Sequence, residues 1–198
     1  VNIMTKVDNN QFTKDGSIIE NGSDAVSALR GYSESDLVGS SVIFSAGMNP
    51  RLYNYLENLE AFTEMRNGDF IKKIVIKVSD YRSALIQGKY LAKKGLWVSE
   101  FRIESGLNCG GHAFASQGYM LGPILEEFKE KKESLTAELF ELYQKSVENK
   151  GREIPEKAPA MRITVQGGIG THEENQLLHN YYQVDATGWG SPFLLVPE

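Results

Sequence analysis

The strongest constraint on the fold is a regular alternation of short apolar runs with amphipathic segments. Runs rich in β-branched and aromatic residues indicate strands at 1–7, 41–46, 73–78, 97–103, 161–166 and 184–187. Most of the stretches between them carry apolar residues at helical spacing. This repetition predicts an α/β protein with a parallel sheet of about six strands. If the repetition is that of a (β/α)8 TIM barrel, which has eight strands, the chain forms a partial barrel; we expect a single domain over residues 1–198.

Local signals mark where several helices begin and end. Asn49 before Pro50 predicts a helix start, as does Asp80, and Gly95 predicts the end of the helix that Asp80 begins. Thr171 with Glu174 three residues later forms a capping-box pattern. Pro123 opens a long amphipathic stretch, and we leave open whether its second half forms a separate helix.

Residues 8–40 differ from the repeating pattern around them. The segment is polar and contains turn signals such as Asn9-Asn10 and Asp15-Gly16. Apolar residues between Ser23 and Leu29 predict at most a short helix within it. We therefore interpret 8–40 as an insertion or a long loop.

Charge and composition exclude several classes of protein. The formal net charge is −5, which argues against a nucleic-acid partner. No apolar run approaches the roughly 20 residues that a membrane span needs, and no signal peptide is visible. The single cysteine, Cys109, excludes a disulfide framework within the chain and favours a cytoplasmic setting.

Three predicted strands end in glycine-rich segments. The first runs from Glu104 to His112 and contains Gly110 and Gly111; the others are Gly167 to Gly170 and Gly188 to Ser191. Glycine lets a backbone approach a ligand closely, and α/β proteins place their ligands at the carboxyl ends of parallel strands. The alternative is that these segments are ordinary tight turns.

These motifs, in this order, resemble the nitronate monooxygenase family of FMN-dependent barrels, which is related to the FMN-dependent enoyl reductases. The matching residues are Glu104, Gly106 and Gly110-Gly111-His112, then Gly167-Gly168-Ile169 about 55 residues later, and Gly190-Ser191-Pro192-Phe193 at the end. The opening Val1-Asn2 is similar to an early strand of that family. The resemblance implies a flavoprotein oxidoreductase, with the first two barrel strands missing on the amino-terminal side.

The resemblance also implies roles for individual residues. His112 would act as a general base or orient a small-molecule substrate beside the flavin. Backbone N–H groups at two glycine segments would hold the FMN phosphate, with donors at Gly168, Ile169, Gly170, Gly190 and Ser191. The remaining expected cofactor contacts are Asn2, Lys77, Glu104, Gly110, Gly111, Gln166, Gly167 and Gly188.

Other interpretations of the same residues remain open. Lys77 could extend to the carboxyl end of its strand or face solvent at an edge, and His112 could be a loop histidine bonded to backbone. Cys109 and His112 lack the further ligands that a metal site needs. The unusually long stretch after Pro123 and the count of six strands favour an alternative, a degenerate or non-flavin phosphate-binding barrel with a binding or assembly role. A third hypothesis is another phosphate-binding barrel enzyme that uses no flavin, such as an aldolase or isomerase; against it, Lys77 is the only strand-interior lysine in a plausible position for a Schiff base.

An incomplete barrel has consequences for association. Open sheet edges favour pairing with other chains. We therefore expect dimerisation or poor solubility.

Overall fold

Six strands alternate with five α-helices in the computed structural model, which describes residues 1–3, 8–45, 47–65, 68–104 and 121–189. A short 3₁₀ turn also precedes β3 at Glu60–Phe62. The elements follow the order β1 (Asn2–Ile3), α1 (Asp24–Glu34), β2 (Ser40–Phe44), α2 (Pro50–Leu56), β3 (Lys72–Val78), α3 (Tyr81–Ala92), β4 (Val98–Glu104), α4 (Leu121–Asn149), β5 (Arg162–Gln166), α5 (His172–Asn180) and β6 (Ala186–Gly188).

The strands form one parallel sheet in the order β1-β2-β3-β4-β5-β6. Each strand therefore pairs with the strand that follows it in the chain. Because parallel crossovers are right-handed, a sequential order places all the connecting helices on one face of the sheet. A doubly wound sheet instead reverses direction at a switch point. The predicted α/β architecture of six parallel strands is confirmed, and its strand order is that of consecutive barrel strands.

The two faces of the sheet differ sharply in composition. On the face that packs against the helices, which we call the helix face, β3 and β4 contribute buried residues that include Ile74, Ile76, Phe101 and Ile103. The other face, which we call the inner face, carries polar residues on β3, β4 and β5, namely Lys77, Glu100, Arg102, Glu104, Arg162, Thr164 and Gln166. The interior of a (β/α)8 barrel is normally filled by layers of branched apolar side chains. A charged inner face is therefore a departure from that pattern.

A β-bulge sets this arrangement in β4. Ile74 pairs with Val98, but the next residue, Val75, pairs with Glu100, so Ser99 is the extra residue. Without the bulge, Val98 and Glu100 would share a face, because strand side chains alternate. The bulge lets Val98 join the apolar core while Glu100 lies on the inner face.

The predicted helix starts are confirmed in detail. The Asn49 Oδ1 accepts a hydrogen bond of 3.1 Å from the N–H of Leu52, and Pro50 occupies the first helical position. The Asp80 Oδ1 accepts a hydrogen bond of 2.7 Å from the N–H of Ser83. Each satisfies a backbone donor that the first helical turn leaves without an intrahelical partner.

Helix α4 is one continuous helix of 29 residues, so the open question about its second half is resolved. It packs closely on α3 at Gly88, where an added Cβ would lie 2.7 Å from the Leu139 Cδ1 and 3.0 Å from the Phe101 Cζ. The missing side chain lets α4 and β4 approach α3. Among the described residues, neither α4 nor any other helix combines the length and apolar character that a membrane crossing requires.

The segment 8–40 contains an ordinary crossover helix, so only its first part is additional to the repeating pattern. Helix α1 connects β1 to β2, and residues 8–22 precede it as a turn-rich stretch with an isolated bridge between Phe12 and Ile18. Asp8 anchors this stretch, because its Oδ1 accepts a hydrogen bond of 2.9 Å from the N–H of Ala25 in the first turn of α1. Its other oxygen pairs with Arg51.

Candidate functional site

The ends of β4, β5 and β6 meet at the carboxyl edge of the sheet. Glu104 lies opposite Gln166 in the parallel register, and Gln166 lies opposite Gly188. All three are residues that the sequence predicts to contact a cofactor. The strand order therefore brings together residues that are up to 84 positions apart in the chain.

Lys77 reaches this edge through an ion pair. Its Nζ lies 2.8 Å from the Glu104 Oε1, and the two side chains are only 15% and 8% exposed. In the register, Lys77 lies opposite Arg102, two residues before Glu104, so the lysine side chain extends toward the carboxyl edge. Of the two interpretations of Lys77, the structure supports the one in which its side chain extends to the carboxyl end of the strand.

A second charged group surrounds Glu100, which lies four residues before Glu104 on β4 and therefore below the carboxyl edge. The buried Glu100 Oε1 accepts hydrogen bonds from the Arg102 Nε and Nη2 at 2.9 and 2.7 Å. It also accepts one from the Thr164 Oγ1 at 2.7 Å, and the Arg162 Nη1 lies 3.9 Å from the other carboxylate oxygen. Such pairing is what allows a carboxylate to be buried.

Sequence reasoning missed this group because it interpreted 97–103 as an apolar run. The signal was nevertheless present. Glu100, Arg102 and Glu104 alternate with Phe101 and Ile103 at the spacing of a strand that has one polar face.

The turn after β5 depends on glycine. Gly167 and Gly168 have φ angles of 85° and 72°, which side chains rarely allow. The N–H of Gly167 donates a hydrogen bond of 2.9 Å to the carbonyl of Gly188. A Cβ on Gly188 would lie 3.1 Å from the Gln166 Cγ, so the missing side chain keeps space beside Gln166.

The predicted phosphate-binding N–H group of Gly170 is already occupied by the chain itself. The Glu174 Oε2 accepts hydrogen bonds from the N–H groups of Gly170 at 2.8 Å and Thr171 at 3.0 Å. The Thr171 Oγ1 in turn accepts one of 3.2 Å from the N–H of Glu174, which completes the predicted capping box. These backbone N–H groups hold the pKa of Glu174 below its ordinary value. A phosphate can use the N–H of Gly170 only if Glu174 moves away.

The remaining residues that the sequence predicts to contact the cofactor do not all lie at the carboxyl edge. Asn2 lies opposite Ile43, and Ile43 opposite Val75, so the register places Asn2 level with Glu100 and below the edge. The side chain of Ile169 is buried in the core, which leaves only its backbone for a ligand. The predictions for Gly110, Gly111, His112, Gly190 and Ser191 lie outside the described residues, as does Cys109.

Two further observations limit other kinds of site. Within the described ranges, no three His, Cys, Asp or Glu residues cluster so that they could hold a metal ion.

An open cavity of about 710 Å³ lies beside Glu64, Tyr143 and Arg152. Its walls come from α4 and from the loops that precede β3 and β5, so it lies at the amino edge of the sheet and includes none of the predicted site residues.

The groups at the carboxyl edge fit a flavin in their donor chemistry. The ring system of a flavin presents carbonyl oxygens and ring nitrogens, and its side chain presents hydroxyls. Lys77 supplies a cationic donor, Gln166 an amide that can donate and accept, and Glu104 an acceptor. The fit is incomplete at the phosphate end, where Glu174 takes the N–H groups of Gly170 and Thr171.

Comparisons with protein-family models, with curated proteins and with solved structures gave no significant match to this chain.

Proposed function

We propose that this protein is an FMN-dependent oxidoreductase that binds its cofactor at the carboxyl edge of the sheet. One observation supports the proposal most directly. A sequentially ordered parallel sheet brings Lys77, Glu104, Gln166 and Gly188 to one edge, where (β/α) barrels bind their ligands. The proposal includes a small-molecule substrate and a cytoplasmic setting.

Each residue has a distinct part in this proposal. FMN would supply the electron transfer. Lys77 would donate to an electronegative atom of the flavin ring, Gln166 would fix the ring or the substrate by its amide, and Glu104 would accept from a side-chain hydroxyl. His112 would remove a proton next to a nitro or carbonyl group, a role that an imidazole side chain can fill.

The decisive experiment is an FMN titration of the purified protein followed by visible absorption. We expect shifted, structured flavin bands for the wild type and at least tenfold weaker binding for Lys77→Met, which corresponds to about 1.4 kcal/mol. Lys73→Met is the matched control, because Lys73 lies on the same strand and face but is exposed and four residues from Lys77. A wild-type protein that shows no flavin bands and no binding would refute the proposal.

The role of His112 needs a separate assay. With nitronates and enoyl thioesters as substrates, His112→Ala should lose turnover while it retains FMN. Unchanged turnover would remove His112 from the mechanism and leave the cofactor site intact.

A second candidate function is a barrel that binds a ligand without flavin. The observation that favours it is the Glu174 carboxylate, which takes the N–H groups of Gly170 and Thr171. Titration of Glu174→Gln with inorganic phosphate and with FMN separates the two functions. Tighter FMN binding by the variant supports a flavin site in which Glu174 competes with the phosphate, whereas an unchanged lack of FMN binding supports the non-flavin function.

A further inference from the structure

We infer that Glu104 controls how strongly the site prefers reduced over oxidised FMN, by compensating the charge of Lys77. The inference rests on the proposed function and extends it from cofactor binding to the redox behaviour of the bound cofactor. It assigns Glu104 a positioning and charge-compensating role, in addition to any hydrogen bond that it makes to a ligand.

Lys77 and Glu104 form a close ion pair that is largely shielded from water. The Lys77 Nζ and the Glu104 Oε1 are 2.8 Å apart, and both side chains are largely buried. Charges that are shielded from water interact more strongly than exposed ones. A ligand at this edge therefore experiences the lysine and its carboxylate together.

The charged side chains of β3 and β4 on the inner face form two separate ion pairs. Arg102 is the residue opposite Lys77 in the register, but its Nε and Nη2 both donate to Glu100. The two neighbouring cations are thus paired with different carboxylates. Because Glu100 is already engaged by Arg102 and Thr164, removal of the Glu104 charge leaves Lys77 without comparable compensation among the described groups.

Reduction changes the net charge of a flavin. Two electrons and one proton convert FMN to its anionic hydroquinone, which adds one negative charge to the ring system. A nearby ammonium stabilises that charge and a nearby carboxylate opposes it, so both tune the reduction potential. Glu104 therefore lowers, and Lys77 raises, the preference of the site for the reduced cofactor.

The test compares the dissociation constants of oxidised and reduced FMN. Binding is followed by quenching of protein fluorescence, first in air and then without oxygen. In the second case dithionite supplies the two electrons and is oxidised to sulfite, while water supplies the proton. We expect the ratio of the oxidised to the reduced dissociation constant to rise about tenfold in Glu104→Gln, which equals about 30 mV for a two-electron couple.

Lys77→Met should change the same ratio in the opposite direction, and the double variant should return it close to the wild-type value. Opposite changes of the ratio in the two single variants distinguish charge compensation from general damage to the fold, because such damage would weaken the binding of oxidised and reduced FMN alike. Glu138→Gln is the control, because Glu138 forms an exposed ion pair with Lys89 between α3 and α4, away from the carboxyl edge.

The possible outcomes separate the two proposals. If the wild type binds FMN but the ratio is the same in all variants, the inference is wrong and the proposed function stands. If the wild type binds neither form of FMN, the proposed function is wrong and the inference fails with it. If Glu104→Gln does not fold, the double variant is compared with Lys77→Met: a higher ratio in the double variant supports the inference, and an equal ratio overturns it.

Discussion

The buried ammonium of Lys72 donates a hydrogen bond of 2.8 Å to the carbonyl oxygen of Ser35, just beyond the C-terminal end of helix α1. The same Nζ donates to the carbonyls of Tyr32 and Ser33. The last carbonyls of a helix have no intrahelical partners and carry partial negative charge. Lys72, which is 1% exposed and is the first residue of β3, therefore caps α1 and attaches that helix to the strand.

Lys72→Met should destabilise the protein strongly. The change keeps most of the apolar volume but removes the ammonium that donates to the half-buried carbonyls of Ser33 and Ser35. The Tyr32 carbonyl still accepts a hydrogen bond from the Ser35 Oγ, so we expect the free energy of unfolding to fall by about 2 kcal/mol. Urea denaturation measures the loss. Lys73→Met, at the exposed neighbouring position, should change it by less than about 0.5 kcal/mol. Equal effects at the two positions would contradict the capping role.

Two glycine-to-alanine changes in helices should have opposite signs. Gly31→Ala in α1 should stabilise the protein by about 0.5–1 kcal/mol, because alanine favours helix and the new Cβ contacts nothing within 4 Å. Gly88→Ala in α3 should destabilise it by about 1–3 kcal/mol, because the Cβ collides with the buried side chains of Leu139 and Phe101. Thermal unfolding of both variants tests the prediction. A stabilising Gly88→Ala would show that α3 and α4 can separate at little cost.

Removing the charge of Glu100 should weaken the inner face. In Glu100→Gln, Arg102 loses the carboxylate that accepts two of its hydrogen bonds, so we expect a loss of about 2 kcal/mol in the free energy of unfolding. The loss is moderate because solvent screens Arg102, whose side chain is 25% exposed. Glu138→Gln breaks an exposed pair and should cost less than about 0.5 kcal/mol. Chemical denaturation compares the two, and equal losses would mean that burial adds nothing to the Glu100 pair.

The Glu174 cap should make stability depend on acidic pH. Backbone donors at Gly170 and Thr171 hold the pKa of Glu174 below its ordinary value of 4.5, so the unfolded chain binds the proton more readily than the folded one. The contribution of this cap is therefore present above pH 4.5 and is lost as the pH falls through the lower folded-state pKa. Wild type should be more stable than Glu174→Gln near neutral pH, and the difference should shrink at pH about 3. Urea midpoints at the two pH values measure it, and a constant difference would refute the titration argument.

Much of the fold was predictable because its signals are local. The strands β3 and β5 are apolar, β-branched runs, and the caps at Asn49, Asp80 and Thr171 need only the residues that follow them. Parallel pairing then follows from the alternation of strands and helices, whereas the sequential strand order does not, because a doubly wound sheet shows the same alternation. These inferences use chemistry that lies within a few residues of each element.

The unpredicted features depend on residues that are distant in the chain. Sequence reasoning identified Lys77 as the lysine that would be costly to bury, yet Lys72 is buried more deeply because the end of α1 supplies its acceptors. The occupation of the Gly170 N–H by Glu174 was missed although the capping box was recognised. The reason is that the box pattern accounts for the N–H of Thr171, whereas the additional bond to Gly170 depends on the path of the glycine turn.

The candidate site was predictable only in part. Lys77, Glu104, Gln166 and Gly188 do meet at one edge, as parallel strand ends require. Asn2 lies lower in the register, because it lies opposite Ile43, which is level with Glu100 rather than with Glu104. The length of a predicted strand does not reveal that offset.

The sequential strand order also bears on how the chain folds. Every strand pairs with its nearest neighbours along the chain, so each new strand is added after closure of a single crossover loop. The entropy lost in closing a loop grows with its length, and a sheet of this order avoids the longest closures. Folding can therefore begin at the β3–β4 pair, whose crossover spans only 19 residues, and proceed outward in both directions, while the β4–β5 step must wait for 57 intervening residues to be spanned.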